Sequence, residues 1–271
     1  WDARHLVADG SGRLYSADAQ ARIAVWDRHG WLQGRVGGLE RDEGPFRAAP
    51  TALAVAPDGR SLVAVDRRQY AFIRFDLTSR DWPWTRIGKR GENNGEFHDP
   101  SAVAVDGAGR IFVADRDNHN VSVFGADGSF LFRFGSYERG RAGHELVRPE
   151  LMAVAPDGSA CYIYDARHYE VQKFALTGQG ASHVTNYGGR GSEHGRLSRP
   201  VGMGCDRLGL LYLLDTGRDI LQLTDFRGKS GVVLQELTLE ELDAAYATGL
   251  GVQPDGMPQI LRRAGVTGLR W

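Results

Sequence analysis

Apolar and polar positions recur along this chain with a long period. One stretch reads Ala102-Val-Ala-Val-Asp106-Gly-Ala-Gly-Arg-Ile-Phe-Val-Ala-Asp115, then Asn118-His-Asn-Val-Ser-Val-Phe124, then Gly128-Ser-Phe-Leu-Phe-Arg-Phe-Gly135. Its relatives run from His5 to Gly37, Ala52 to Gly88, Leu151 to Gly188 and Gly202 to about Leu234, and a weaker copy begins at Gly249. The aspartates closing the second apolar run, Asp18, Asp66, Asp115, Asp165 and Asp215, lie 48, 49, 50 and 50 residues apart. The prolines opening the first run, Pro50, Pro100, Pro149 and Pro200, lie 50, 49 and 51 apart. A fixed period of this length marks a repeat architecture.

Each copy predicts four short strands. Val-Ala-Val and Ile-Phe-Val-Ala are apolar runs of strand length, bounded by Asp-Gly or Gly-x-Gly turns. Val121-Ser-Val-Phe124 alternates with period two, as a strand nearer the surface does. Pro57-Asp-Gly59, Asp127-Gly128 and Pro156-Asp-Gly158 supply the positive dihedral angles of tight hairpins. One such unit cannot bury both of its faces, so copies stack, and closing the stack into a ring removes its exposed ends. The expected fold is therefore all-β: a single six-bladed β-propeller domain over residues 1–271, with four-stranded antiparallel blades at about 5–37, 50–88, 100–135, 149–188, 200–235 and 248–271. The last blade is expected to stop at a third strand, Val266 to Trp271. Thr238, followed three residues later by Glu241, forms a capping box. Leu239, Leu242 and Tyr246 recur at helical spacing, which predicts a short helix over 238–246.

The punctuation Gly-x-Phe-x-x-Pro, apolar strand, Asp-x-x-Gly, strand ending in Ala-Asp, Asn-His-x-Val-x-Val-Phe and Asp-Gly resembles the NHL repeat. Gly95-Glu-Phe-His-Asp-Pro100 through Gly135 follows it most closely. The resemblance covers residue 5 to about 235 and weakens over 249–271. The first copy has a shortened loop after Asp18, the fifth reads Asp215-Thr-Gly-Arg-Asp219 without Asn-His, and the sixth has Ile260-Leu-Arg-Arg-Ala264 without the closing aspartate. The resemblance implies a six-bladed propeller that uses the face of its blade-joining loops, and its central channel, for binding. Some animal members of this family bind RNA through that face.

Composition narrows the function classes. The chain is 42% hydrophobic and 25% charged, as soluble globular chains are. Its 33 Lys+Arg against 34 Asp+Glu leave a formal charge of −1, which argues against a strongly basic nucleic-acid binder and an acidic tail. Two cysteines without C-x-x-C spacing argue against a disulfide framework and a cysteine-based metal or redox centre. Cys161 and Cys205 are expected to be buried small hydrophobes. No apolar run reaches the roughly 18 residues of a membrane span, so no membrane insertion is expected. The chain opens on Trp1 with no signal-like segment, and is read as a piece of a longer protein with flanking domains.

The loops Gly38–Pro50, Gly88–Pro100, Ser136–Pro149 and Gly188–Pro200, with the inner loops beside them, gather Arg67, Arg68, Tyr70, Arg116, His119, Arg139, Arg141, Arg167, His168, Tyr169, Arg190 and Arg218 on one face of blades two to five. Arginine and aromatic side chains anchor interfaces, so a non-catalytic module recognising a partner protein or peptide is the expected function. Single-stranded RNA is an alternative, since Tyr70, His119 and Tyr169 could stack on bases. Glu92, Glu96, Asp99, Glu138, Glu145 and Glu193 in the same loops oppose it. A metal-dependent lyase or hydrolase at the channel mouth is the other alternative, with His98, His144 and His194 from three successive loops as zinc ligands, or with calcium. Amidating lyases, also six-bladed propellers, carry a histidine directly after the strand-opening proline. Thr51, Ser101, Glu150 and Val201 stand there, so no ligand carries over and no cofactor is expected. The channel mouth is expected to hold Arg4, Thr51, Ser101, Glu150 and Thr248, with His5 one position further on. Arg4 and Glu150 fall on opposed blades, where a salt bridge would plug the channel, or the two would hold a zwitterion. The recurring aspartates are read as acceptors for the turns that follow them, a structural role. Serine-nucleophile, phosphate-loop and metalloprotease motifs are absent.

Overall fold

Every apolar run folds back on the next because the turn between them carries a residue able to reverse the chain. The computed structural model describes the backbone of residues 3–37, 44–136, 145–226, 231–240, 247–252, 258–262 and 265–268, and side chains over 5–37, 44–136, 145–226, 231–240 and at Leu250. Blade one contains β1 (Ala3–Ala8), β2 (Leu14–Asp18), β3 (Arg22–Trp26) and β4 (Leu32–Gly37). Blade two contains β5 (Ala52–Val55), β6 (Ser61–Asp66), β7 (Ala71–Asp76) and β8 (Trp84–Ile87). Blade three contains β9 (Pro100–Val105), β10 (Ile111–Asp115), β11 (Asn120–Phe124) and β12 (Phe130–Phe134). Blade four contains β13 (Pro149–Val154), β14 (Ala160–Asp165), β15 (Glu170–Leu176) and β16 (Ala181–Gly188). Blade five contains β17 (Pro200–Cys205), β18 (Leu210–Asp215), β19 (Ile220–Asp225) and β20 (Val232–Thr238). Within each, consecutive strands pair antiparallel in sequence order.

The expectation of six four-stranded blades is corrected. Five blades have four strands; the chain from Ala247 forms a three-stranded sheet, β21 (Ala247–Val252), β22 (Pro258–Arg262) and β23 (Gly265–Gly268). That segment carries three strand-forming runs, so no fourth strand pairs with β23 among the described residues. This sheet lies between blades five and one, with β21 against both β17 and β1. The short helix over 238–246 is also corrected where it can be seen. Thr238 ends β20, paired with Ile220, and the Leu239 amide donates to the Asp219 carbonyl at 2.7 Å. Leu239 is buried, so burial and ladder pairing override the local capping signal. Residues 241–246 lie outside the described residues, and no α-helix occurs among those described. None is long and apolar enough to cross a membrane.

The core sits between blades. Along β6, Leu62 and Ala64 face blade one with Tyr15, Ile23 and Val25, while Val63 and Val65 face blade three with Val103, Ile111 and Phe124. Both faces are covered, which is why the second strand of each blade reads as a continuous apolar run instead of alternating. The same apolar interface recurs between blades three and four and between four and five. Cys161 is buried as expected, whereas Cys205 is half-buried and lines the lower channel. Burial pushes both thiols up, so neither is a ready nucleophile.

Turns on the lower face tie blades in pairs. Asp9 takes the Arg13 guanidinium at 2.8 Å, and Arg13 also donates to the Gly59 carbonyl of blade two at 3.2 Å. Asp106, Arg110 and Gly158 repeat this between blades three and four, at 2.7 and 2.9 Å. Gly158 has φ +73, and a Cβ there would stand 2.6 Å from the Arg110 Nη2. Glycine is thus required both by the backbone and by the approach of the arginine. Blade five has Leu210 in the arginine position and lacks this staple.

Candidate functional site

The upper loops are held by the recurring aspartates. Asp115 is wholly buried at the end of β10 and accepts from the amides of His98 (2.7 Å), Asp99 (3.0 Å), Asp117 (3.1 Å) and Asn118 (3.0 Å). One carboxylate therefore joins the loop entering the blade to the loop between its second and third strands. Asp66, Asp165 and Asp215 do the same in their blades. After this turn each chain passes through a left-handed residue: Ala21, Tyr70, His119, Tyr169 or Asp219, with φ between 52 and 60. Tyr70, His119 and Tyr169 thus occupy one repeat position in blades two, three and four.

Arginines and acids interleave around the channel mouth. Asp99, 8% exposed, bridges Arg67 of blade two, and Arg116 Nε lies 3.6 Å from it. Arg116 also approaches Glu150 at 3.9 Å, and Arg148 Nε pairs with Glu150 at 2.8 Å. The Arg4 side chain lies outside the described residues; the partners seen for Glu150 are Arg148 and Arg116. Below the mouth, a cavity of about 120 Å³ is lined by His5, Thr51, Ser101, Glu150 and the apolar residues beneath them. Ser101 Oγ donates to the Pro149 carbonyl at 2.7 Å. Thr248 lies outside the described side chains.

In blade five Arg218 donates to both oxygens of Glu236, at 2.7 and 3.1 Å, and His194 Nδ1 lies 3.1 Å from the same carboxylate. Burial alone would raise the Glu236 pKa. Hydrogen bonds from Arg218 and the Gly195 amide, with the charges of Arg218 and His194, outweigh it and hold the carboxyl below its ordinary value of 4.5. A lowered folded value means the cluster stabilises the fold above pH 4.5 and loses that contribution as pH falls through the folded value. Glu236→Gln is expected to cost about 2 kcal/mol near neutral pH, leaving Arg218 half-satisfied in a protected site. The gap to the parent should narrow in urea melts run below pH 4.5. A gap that stays constant with pH would show that the ionised pair is not its source.

The tyrosines are partly committed. Arg90 lies over the Tyr70 ring at 5.4 Å and Arg190 over Tyr169 at 5.3 Å, while both rings pack half-buried on the interblade core. His119 Nδ1 meets the Leu146 carbonyl at 3.1 Å. His168 lies 3.6 Å from Asp165. Arg68 and Arg167 are exposed, and neither guanidinium has a partner among the described residues. Arg139, Arg141 and His144 lie outside the described residues. Of the other candidate metal ligands, His98 stands 3.9 Å from Glu92 and His194 is on Glu236. No group of three His, Cys, Asp or Glu side chains that could hold a metal occurs among the described residues. Sequence reasoning passed over Arg90, Arg148 and Glu236. For Arg90 a signal existed: it follows Gly88 by two residues, as Arg190 follows Gly188.

A family model for the NHL repeat matches residues 97–124, the loop and first three strands of blade three. The chain is 28% identical over 131 residues, 48% of its length, to the Protein brain tumor of Drosophila melanogaster, and 46% identical over 48 residues, 18% of its length, to the B-box type zinc finger protein ncl-1 of Caenorhabditis elegans. The matches span 12% and 6% of those proteins, so the chain corresponds to a small part of each. The solved streptogramin B lyase aligns over 99% of this chain and 93% of its own, with TM-score 0.64 and 13% identity, a likeness of fold alone. With the repeat's aspartate, asparagine and histidine each placed where they brace the upper loops, blade three carries an NHL repeat within a β-propeller.

Proposed function

We propose that this propeller is a non-catalytic recognition module that binds a partner protein or peptide through the loop face of blades two to five. One observation carries the reading. After Asp99, Glu96, Glu150 and Glu236 have taken up Arg67, Arg116, Lys89, Arg148 and Arg218, the exposed guanidinium groups of Arg68 and Arg167, like that of Arg199, have no partner among the described residues. Arg68 and Arg167 each sit two residues before an arginine-capped tyrosine, on a turn braced by Asp66 or Asp165. Unpaired arginines beside half-buried aromatic rings are the chemistry of interface anchors. The acids interleaved on the same face, and a net charge of −1, leave little of the cationic field that phosphate-led RNA binding needs.

An array of immobilised short peptides, probed with the parent and with an Arg68→Glu/Arg167→Glu/Arg190→Glu variant, tests this. Arg67 is spared because its reversal would set a carboxylate against Asp99. Peptides retained by the parent should lose about a hundredfold in affinity in the variant, from the loss of three charge-assisted contacts, with thermal unfolding unchanged. Retention by the variant would place recognition elsewhere. Retention of a random RNA pool in preference to any peptide, falling steeply with salt, would favour the RNA reading instead.

A further inference from the structure

Between blades two and three the upper face opens into a cleft of about 440 Å³, lined by Ala48, Thr51, Arg67, Arg68, Tyr70, His98, Asp99 and Asp117. Resting on the recognition role above, we infer that this cleft receives a single carboxylate side chain of the partner, with Arg68 as its counter-charge. The walls differ in what they have left to offer. Arg67 is held by Asp99, and the buried Asp99 is shared with Arg116, so that carboxylate is already committed. Arg68 stands on the first turn after β6, its amide fixed at 2.9 Å to Asp66, with its guanidinium exposed and unpartnered among the described residues. A guanidinium fork presented from a braced turn suits a planar carboxylate, which it can bind through two parallel hydrogen bonds.

The opposite wall selects among anions. Asp117 is exposed, follows the Asp115 brace by two residues and has no ion-pair partner among the described residues. The lining charges of Arg67 and Arg68 balance those of Asp99 and Asp117, so a monoanion on Arg68 adds a single negative charge, whereas a phosphate adds up to twice that beside Asp117. A nucleobase also finds little platform, since Tyr70 is half-buried and Arg90 lies over its ring. The chemistry that fits is therefore an acidic, unphosphorylated peptide.

Fluorescence polarisation of the full chain with a labelled Glu-Gly repeat peptide tests this, against Gln-Gly and phosphoserine-Gly repeats and oligouridine of equal length. The Glu-Gly peptide should bind about tenfold tighter than the Gln-Gly peptide, the worth of one charge-assisted contact on an exposed cleft. Arg68→Gln should erase that preference with folding intact, and Asp117→Asn should improve binding of the phosphoserine peptide. Equal binding of the Glu and Gln peptides, or a preference that survives Arg68→Gln, overturns the assignment. Preference of the parent for phosphoserine or oligouridine overturns it in favour of a phosphate ligand. If array peptides still depend on the triple variant while no Glu preference is found, the recognition face stands and only the cleft assignment falls.

Discussion

Replacing Asp115 by alanine should lower the unfolding free energy by about 3–4 kcal/mol in urea denaturation, since each buried donor left without an acceptor costs about 1–3 kcal/mol. The carboxylate is wholly buried and accepts four backbone amides, among them the buried amide of Asp99. Alanine leaves those amides facing a space with no acceptor, and water reaches only some of them. Asp115→Asn keeps one acceptor oxygen and should cost roughly half as much. Loosening this brace frees the loop that carries His98 and Asp99 together with the one that carries Arg116 and Asp117. A loss below about 1 kcal/mol would mean that the amides find other acceptors, and that the aspartate is retained for some purpose other than the fold.

Phe124→Ala should be costlier still, at about 3–5 kcal/mol. Phe124 is 1% exposed and meets Phe72 at 4.9 Å, Phe130 at 5.8 Å and Phe97 at 6.1 Å, mostly in tilted or edge-on contacts. These rings come from blades two and three and from the loop joining them, so truncation opens a void at an interblade seam. Strands paired on both sides cannot move in to fill it, which puts the cost near the upper end for a large-to-small change. Phe130→Ala, at the partly exposed rim of the same cluster, should cost clearly less. Equal losses for the two in calorimetric or denaturant melts would show that ring packing at the seam is not what holds these blades together.

Much of the architecture was legible because its determinants act within one repeat. An aspartate at a strand end, a proline opening the next blade and Gly-bearing hairpins each impose their geometry locally, so their recurrence at near-constant spacing announced stacked four-stranded units. The structural role of the aspartates was readable for the same reason: Asp115 binds the amides of its own turn, at 117 and 118, whatever else surrounds it. The prior loop's amides at 98 and 99 complete the set. Local signals misled where a longer-range ladder outweighed them. Thr238 and Leu239 carry a helix-start pattern, yet they close β20 against β19 and bury Leu239.

The candidate site divides along the same line. Sequence alone determined which residue types crowd the upper face, and that Tyr70, His119 and Tyr169 share one turn position, because a repeat maps equal positions to equal places. It also determined that acids stand among the basic loops. Only the tertiary structure decided how those charges pair, since Arg67 meets Asp99 from the next blade, Arg116 reaches toward Glu150 in the one after, and Arg218 closes on Glu236 across its own sheet. Charge pairing depends on distances of a few ångströms between residues that are tens of positions apart, and a linear pattern carries no such distance. That pairing, by spending most of the arginines, leaves Arg68, Arg167 and Arg199 without partners among the described residues, and the first two stand beside the arginine-capped tyrosines.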